Sequence, residues 1–490
     1  MQGMKHILVL ALLCVLALSS STAAKDYFLT IGGGPSKETN QASLERNILF
    51  YKQLLGTKGV PALQQWVYFA SGLSDGKDVQ TMDPDSLPKA NQLMAEFFGS
   101  ERDLGLAYRA SEVPNVRAAS TLDNIENWFS GVGKSMKPGD RLVLYVTAHG
   151  EKSDDRRNPY ETSIMLWNGE KLAVSELVRL LDTLPEGVQV VAVMVQCYTG
   201  GFAHMIYDGA DPENGLAKQN RSGFFATVHD REAAGCTPDV EEASYVEYST
   251  YFWEALGGRS RTGKPVTPPD YDGDGKVSFA EAHAYTVLSA DTIDLPLTTS
   301  SEFLSDESQF RDADHPDLLP KDAPYETIQE LATPAERAVL EGLSKQLELA
   351  GSDRLAMAQR EARATRRGRF RSRTPSPRRR AAQLRDTIAD DLKERWPELG
   401  NVLNPGSVDL LTKRSKEFIE AVEGHPKYKE YREQTELAAK EPDPQKRRVK
   451  YERFVHTAQN VILRENLKRL NDTEALSQYE AIVAAESGTL

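Results

Sequence analysis

Two apolar runs in the middle of the chain constrain its fold more than any other feature. The first covers residues 142–147 and leads to His149, and the second covers residues 188–195 and leads to Cys197. Both are rich in β-branched residues, which is typical of parallel strands covered on both faces. Between them, apolar residues recur at helical spacing over residues 174–181. A strand, a helix and a strand in this order predict a crossover that brings His149 and Cys197 to the same edge of one sheet.

Further strands and helices alternate on both sides of this unit. We expect strands at residues 27–31, 66–69 and 223–228, and helices at residues 41–55, 122–132 and 245–256. Such alternation predicts an α/β fold with a mostly parallel sheet flanked by helices over residues 25–305. Residues 306–332 are rich in Asp and Pro and are predicted to be a linker. Residues 333–490 carry helical periodicity almost throughout, which predicts an all-helical C-terminal region.

Length, charge and the first residues limit the class of protein. A chain of 490 residues is long enough for two or more domains, and its net charge of -13 argues against nucleic acid as the main partner. Residues 1–24 have a short basic start, an apolar core and small residues at the end, which is typical of a secretory signal peptide. The apolar core of about 12 residues is shorter than the roughly 20 needed to span a bilayer. We therefore expect an exported protein, secreted or periplasmic, without a membrane span.

An arginine-rich segment, residues 363–380, interrupts the helical region. It contains nine arginines together with Ser-Pro and Thr-Pro pairs and has few apolar residues. A basic run of this kind is compatible with nucleic-acid binding. In an exported chain, we interpret residues 363–380 instead as an exposed linker that proteases can cut.

After the leader, two cysteines remain, Cys197 and Cys236. In an oxidising compartment they are expected to form a disulfide, unless one of them has a chemical role. Cys197 follows a buried strand at the edge where His149 is expected, which favours a free nucleophilic thiol with a histidine base. The backbone N–H groups of Gly150 and Cys197 are candidates for stabilising the oxyanion of an attacked carbonyl. His204 is expected to be a satisfied histidine on a helix face.

Residues 270–281 match the twelve-residue calcium loop, with acids at positions one, three and five, Gly at six and Glu at twelve. No helix is evident before the loop, so we predict a single calcium ion in an isolated loop that leads into a helix at residues 279–288. The sequence predicts no organic cofactor. The expected ligands are Asp270, Asp272, Asp274, Lys276, Ser278 and Glu281. Lys276 would contribute its backbone carbonyl, and Ser278 would bind through a water molecule.

The segment 145–150, Tyr-Val-Thr-Ala-His-Gly, is followed by Val-Gln-Cys-Tyr-Thr-Gly-Gly-Phe at 195–202, with Cys197 48 residues after His149. A spacing of about 50 residues is typical of caspases. Together these residues resemble the caspase-like clan of cysteine peptidases, with the legumain-type branch most similar. The resemblance implies a caspase-like fold and an endopeptidase that cleaves peptides or proteins through a thioester. It also implies a dyad of His149 and Cys197, with Gly150 contributing to the oxyanion hole.

Two positions depart from the legumain pattern. Ala148 replaces an acid before the His-Gly pair, and Val195 replaces a glutamate that lines the specificity pocket. Asparagine specificity is therefore not expected. Asp230 and Glu232, which follow the strand predicted at residues 223–228, could instead receive a basic side chain of the substrate. Asn40 is a candidate for orienting the histidine. The proposed substrate-binding residues are Gln196, His229, Asp230 and Glu232.

Three further expectations accompany this resemblance. Family members are often made as zymogens, and the helical C-terminal region is a candidate for covering the cleft. Transpeptidation, in which an amine replaces water, would use the same dyad. The non-enzymatic alternative is a calcium-stabilised binding module in which Cys197 is paired with Cys236.

Overall fold

The computed structural model describes residues 24–72, 75–364 and 376–490. The predicted leader and most of the arginine-rich segment lie outside the described residues. The fold is mixed α/β, with a mostly parallel central sheet flanked by helices and followed by a helical C-terminal region. The strands are β1 Asp26–Gly33, β2 Gln65–Phe69, β3 Val79–Met82, β4 Leu106–Arg109, β5 Arg141–Glu151, β6 Ser163–Met165, β7 Lys171–Ala173, β8 Gln189–Met194, β9 Asn220–Phe225 and β10 Leu297–Thr298.

The helices before residue 320 alternate with these strands, and those after it follow one another. The first group is α1 Ala42–Thr57, α2 Lys89–Phe98, α3 Leu122–Trp128, α4 Val174–Leu181, α5 Tyr248–Gly257, α6 Phe279–Ser289 and α7 Thr299–Glu307. The second group is α8 Tyr325–Leu331, α9 Pro334–Leu347, α10 Arg354–Arg363, α11 Pro377–Arg395, α12 Pro405–Thr412, α13 Ser415–Glu423, α14 Tyr428–Lys440, α15 Pro444–Leu470 and α16 Thr473–Glu486.

The central sheet has the strand order β10-β9-β8-β5-β1-β2 within the described residues. Strands β2, β1, β5, β8 and β9 are all parallel, while β10 is antiparallel to β9. The predicted strands and the crossover between β5 and β8 are confirmed, although β9 begins and ends earlier than expected. The short antiparallel strands β6 and β7 extend the sheet beside the end of β5. Sequence reasoning missed them because runs of three residues carry no readable period.

Both faces of the sheet are buried, as the continuous apolar runs require. Alternate residues of β5 point to opposite sides, so that Leu142 and Leu144 join one apolar cluster while Val143 and Tyr145 join another. Helices α3 and α4 cover the first face, and α1, α5 and α6 cover the second. This packing holds the strands in register and makes their carboxyl ends a rigid edge.

The C-terminal helices pack partly on the sheet domain. Helix α16 lies against β9, and its Glu486 carboxylate accepts hydrogen bonds from Thr299 and Ser300 at the start of α7. Helices α9 and α15 share an apolar cluster with α6. The predicted linker, residues 306–332, contains α8 and buries both Leu318 and Ile328, and Ile328 belongs to this cluster. Its Asp and Pro residues occupy the exposed turns before α8, which is why composition alone indicated an unstructured connection.

Within the described part of the chain, no helix combines the length and the apolarity needed to cross a membrane.

Candidate active site

The crossover places His149 and Cys197 at the same edge of the sheet. Strands β5 and β8 are parallel neighbours, with Val146 opposite Met194, so His149, near the end of β5, and Cys197, just after β8, lie at the same edge. Gly150 lies directly against Cys197, because a Cβ added to Gly150 would overlap the carbonyl oxygen of Cys197. The residue after the histidine is therefore in backbone contact with the cysteine.

The imidazole of His149 is held through one nitrogen. Its Nε2 lies 2.9 Å from the carbonyl oxygen of Thr39 and 2.8 Å from Oε1 of Gln41. A carbonyl oxygen only accepts hydrogen bonds, so Nε2 carries the proton and Nδ1 is the basic nitrogen of the neutral ring. Burial lowers the pKa of His149, and the bond to Thr39 offsets only part of this effect. The imidazole is consequently neutral at pH 7 and able to accept a proton.

Asn40 does not orient this histidine. The Asn40 side chain is buried, donates to the carbonyl of Asp78 and accepts from the N–H of Gly34. It holds the loop between β1 and α1 in place, and its neighbours Thr39 and Gln41 contact His149 instead. The prediction that Asn40 orients His149 was right about the loop but wrong about the side chain. Neighbouring residues of a loop point in different directions, so the residues on either side of Asn40 face the histidine while Asn40 does not.

The Cys197 thiol is half-buried under the loop that follows β9. The N–H of Ala233 lies 3.3 Å from Sγ, and Sγ lies 3.8 Å from the carbonyl oxygen of the same residue. Burial raises the pKa of Cys197, the Ala233 N–H partly offsets this, and the negative charges of Glu232 and Asp294 raise it further. The resting thiol is therefore protonated and depends on a base for its activation.

The residues after Cys197 are fixed to that same loop. Tyr198 adopts a left-handed backbone conformation, with φ of 61°, and its N–H donates to the carbonyl of Arg231 at 2.8 Å. Thr199 accepts from the N–H of Thr227 and donates to its carbonyl. A non-glycine residue at positive φ is uncommon and costly, so this sharp turn directly after the thiol is set by its surroundings. It presents Cys197 at the edge of the sheet.

The backbone N–H of Cys197 lies beside its own thiol, where it favours the thiolate slightly. An N–H at the attacking residue is the group that an oxyanion hole uses. Gly150 lies against the same peptide group.

The predicted substrate-binding residues occupy different surroundings. Asp230 and Glu232 are exposed on the loop after β9, and the charge of Glu232 raises the pKa of the Tyr198 hydroxyl in addition to the effect of burial. His229 is partly buried, and its ring lies 4.2 Å from that of Tyr160. Gln196, in contrast, is only 1% exposed, and it lies beneath Gly150. Gln196 therefore supports the strand end from below and does not line an open pocket, because the side chains alternate in direction along the strand.

Neither Cys197 nor Cys236 forms a disulfide in the described chain. Cys236 is exposed, and its thiol is close enough to Cys197 to interact with it electrostatically. The two thiols are thus near each other without being joined.

The calcium loop brings three of its predicted ligands together. Asp270, Asp272 and Asp274 each offer a carboxylate oxygen, and these atoms lie within 4.8 Å of one another. Gly275, at position six, has φ of 86°, a conformation that favours glycine. The loop is preceded by no helix and followed by α6 from Phe279, as predicted.

The remaining predicted calcium ligands serve the loop itself. Glu281 accepts backbone N–H groups from Tyr271, Asp272 and Ser278, and its own N–H donates to Ser278 Oγ in a capping box for α6. The side chain of Lys276 belongs to none of these bonds. The three aspartates therefore fit a hard cation, while Glu281 and Ser278 end the loop by capping the helix.

Several residues at the site were missed from the sequence. Gln41 and Thr39 hold the histidine, Ala233 contacts the thiol, and Asp294 lies beneath the same loop, where its Oδ1 accepts from the N–H of Ala234 at 2.6 Å. Burial raises the pKa of Asp294 to about 6. No motif marks these residues, since they reach the site from separate loops.

A groove of about 870 Å³ lies beside the histidine. It is bordered by residues of the loop between β1 and α1 and by Met165, which is opposite His149 in the pairing of β5 with β6. Trp167 and Asn168 form its other wall.

Comparisons with known proteins identify no family. No family model matches the chain. No curated protein matches it either. A solved structure with partial likeness is the crystal structure of protein GSU0716 from Geobacter sulfurreducens, which is 14% identical, with 54% of this chain and 88% of that chain covered, at a TM-score of 0.27. A score this low carries no argument about function.

Proposed function

We propose that the chain is a cysteine endopeptidase of the caspase-like clan, with His149 as the base and Cys197 as the nucleophile. The observation that carries this proposal is the fixed tautomer of His149 beside a protonated thiol. Thr39 and Gln41 occupy Nε2, which leaves Nδ1 as the basic nitrogen of the ring. The residue that follows His149 is packed against Cys197.

The reaction proceeds through an acyl-enzyme. His149 removes the proton from Cys197, and the thiolate forms a bond to the carbonyl carbon of the substrate. The N–H groups of Cys197 and Gly150 stabilise the oxyanion, and the imidazolium then donates its proton to the departing amine. Water, activated by the neutral imidazole, hydrolyses the thioester and regenerates the thiol. An amine in place of water would give transpeptidation.

A basic side chain at the cleavage site is the specificity that the surroundings support best. Asp230 and Glu232 are exposed on the loop whose Ala233 contacts the thiol, and Val195, at 7% exposure, adds no charge. A positional peptide library therefore tests the proposal, with Cys197→Ala as the control. Cleavage after Arg or Lys by the wild type alone is expected, and an inactive wild type would refute the peptidase assignment.

One contact of the C-terminal helices reaches the loop over the thiol, which supports a zymogen. Arg231, in the loop whose Ala233 contacts Cys197, forms an ion pair with Glu452 of α15 at 2.5 Å. Tyr431 of α14 also donates to Glu96 of α2 at 2.6 Å, which joins the C-terminal region to the sheet domain at a second place. We propose that this region restricts substrate access until the chain is cut within residues 363–380.

Mass spectrometry of the purified chain tests self-processing. Cuts between Arg363 and Arg380 are expected in the wild type and absent in Cys197→Ala. Because α16 is packed on β9, the C-terminal fragment is expected to remain bound after the cut and to co-elute in gel filtration. Identical cuts in Cys197→Ala would exclude self-processing.

The loop at residues 270–281 is proposed to bind one calcium ion through Asp270, Asp272 and Asp274. These three carboxylates already converge, and oxygen donors are what calcium prefers. The loop joins the segment after α5 to α6, so the ion would stiffen the helix that covers one face of the sheet.

The binding-module alternative predicts a disulfide between Cys197 and Cys236. Thiol titration of the folded protein under non-reducing conditions distinguishes the two. If the chain is a peptidase, the Cys197 thiol is alkylated, and the alkylation is slower in His149→Ala. If it is the binding module, no thiol reacts, because both cysteines are in the disulfide.

A further inference from the structure

A second cluster of ligand-type side chains lies away from both the dyad and the calcium loop. His204 is on the 3₁₀ helix Thr199–Ile206, and Glu302 and Asp306 are four residues apart on one face of α7. One ligand atom from each of the three side chains lies within 4.8 Å of the others. The fold thus brings an imidazole and two carboxylates together from separate segments.

His204 has an unpaired nitrogen directed into this cluster. The residue is 8% exposed, and its Nε2 is buried without a hydrogen-bond partner among the described residues. That nitrogen lies 3.5 Å from Oε1 of Glu302, outside hydrogen-bond geometry. A buried polar atom without a partner lowers the stability of the folded protein. The expectation that His204 has its hydrogen bonds satisfied on a helix face is therefore wrong. A bound ligand would provide the partner that its Nε2 lacks.

Two tyrosines orient the ligand side chains. The hydroxyl of Tyr207 donates to Oδ2 of Asp306 at 2.6 Å, which leaves Oδ1 available. The Tyr160 ring stacks on the imidazole of His204 at 4.0 Å. Outer groups that fix the direction of ligand side chains in this way are typical of metal sites.

The negative charge of the cluster is not neutralised by the protein. In the part of the chain that the structure describes, His204 is the sole basic side chain paired with Glu302, and Asp306 is paired with none. A bound cation would supply the missing positive charge.

We propose that His204, Glu302 and Asp306 bind one divalent transition-metal ion of the zinc class. Calcium and magnesium take oxygen ligands, whereas a nitrogen with two carboxylate oxygens is a donor set suited to zinc. Three protein ligands leave a fourth position for water, and the exposed side of Asp306 gives the ion access. The ion ties the 3₁₀ helix that follows Cys197 to α7.

This site does not depend on the peptidase assignment, so it is tested in an inactive chain. The purified Cys197→Ala Cys236→Ser protein, produced without residues 1–24 and therefore without Cys14, lacks competing thiols, and excess calcium saturates the aspartate loop. Equilibrium dialysis against zinc, followed by elemental analysis, is expected to give one zinc per chain. Cobalt in place of zinc is expected to give visible absorption from its bound state.

Variants distinguish the site from general surface binding. Zinc is expected to be lost in His204→Gln and, with an intact fold by circular dichroism, in Asp306→Asn, which alters an exposed side chain. Tyr207→Phe is expected to weaken zinc binding roughly 10–100-fold. Glu307→Gln, the matched control one residue beyond Asp306, is expected to retain one zinc. No bound zinc in the parent protein, or the same zinc content in folded Asp306→Asn, would overturn the proposal.

Discussion

Gly150 is in backbone contact with Cys197, so closely that the peptide of Cys197 occupies the space where any side chain at position 150 would begin. The same Cβ would also contact Cγ of the buried Gln196 at 2.8 Å. Glycine is therefore required here for close approach and not for an unusual φ. This contact is what joins the end of β5 to the nucleophile.

The first prediction follows from that contact. Gly150→Ala must push the two strand ends apart, which displaces the N–H groups that face the oxyanion. We expect kcat/KM to fall by about 100-fold or more, the usual cost of losing one oxyanion donor. Gly131→Ala is the control, because a Cβ there meets open space. Full activity of Gly150→Ala would mean that the oxyanion is bound elsewhere.

The second prediction concerns the pH dependence set by Gln41. Burial lowers the pKa of His149. The kcat/KM of the wild type is therefore expected to fall only at a pH below the ordinary histidine pKa of about 6.5. Gln41→Glu places a carboxylate beside Nε2 and favours the imidazolium, which is expected to raise this acidic limit by about one pH unit or more. Gln53→Glu, on an exposed face of α1, the helix that follows Gln41, is the control and should leave the pH profile unchanged. Coincident profiles for wild type and Gln41→Glu would show that His149 does not control the reaction.

The third prediction concerns the calcium loop. A saturating ion at about 100 times its Kd stabilises the folded protein by roughly 2.7 kcal/mol, so a chelator is expected to lower the Tm. Asp274→Asn should remove most of this chelator effect, since Asp274 is one of the three converging carboxylates. Asp314→Asn, in another Asp-rich turn, should keep it. Equal chelator sensitivity in both variants would place the calcium site elsewhere.

The fourth prediction concerns acid stability. His283 is buried, its Nδ1 bonds to the hydroxyl of Tyr248 at 2.7 Å, and burial lowers its pKa to about 3. Between about pH 6.5 and 3 the unfolded chain binds a proton that the folded chain does not, so stability is lost as the pH falls. From pH 7 to 5 this group alone should remove roughly 2 kcal/mol of unfolding free energy.

Urea denaturation at the two pH values measures this effect. His283→Asn keeps an acceptor for Tyr248 and should reduce the difference by roughly that amount. His315→Asn, at an exposed position, serves as the control and should not change it. An unchanged pH dependence in His283→Asn would show that other groups cause the acid sensitivity.

The sequence by itself determined the elements that depend on local pattern. Continuous β-branched runs identified β5 and β8, the helical period identified α4, and turn residues marked their ends, so His149 and Cys197 could be assigned to one edge. The spacing of acids and glycines likewise marked the loop at residues 270–281. These features are local because periodicity and turn chemistry act over only a few neighbouring residues.

Only the tertiary structure decided which groups meet at the site. The acceptors for His149 come from a loop more than 100 residues earlier, the group that contacts the Cys197 thiol comes from Ala233, and the partners of His204 lie on α7. The packing of α16 on β9 also joins the C-terminal region to the sheet. Such contacts depend on how distant segments pack against a shared core, and a periodic pattern in one segment carries no information about the loop that lies opposite it.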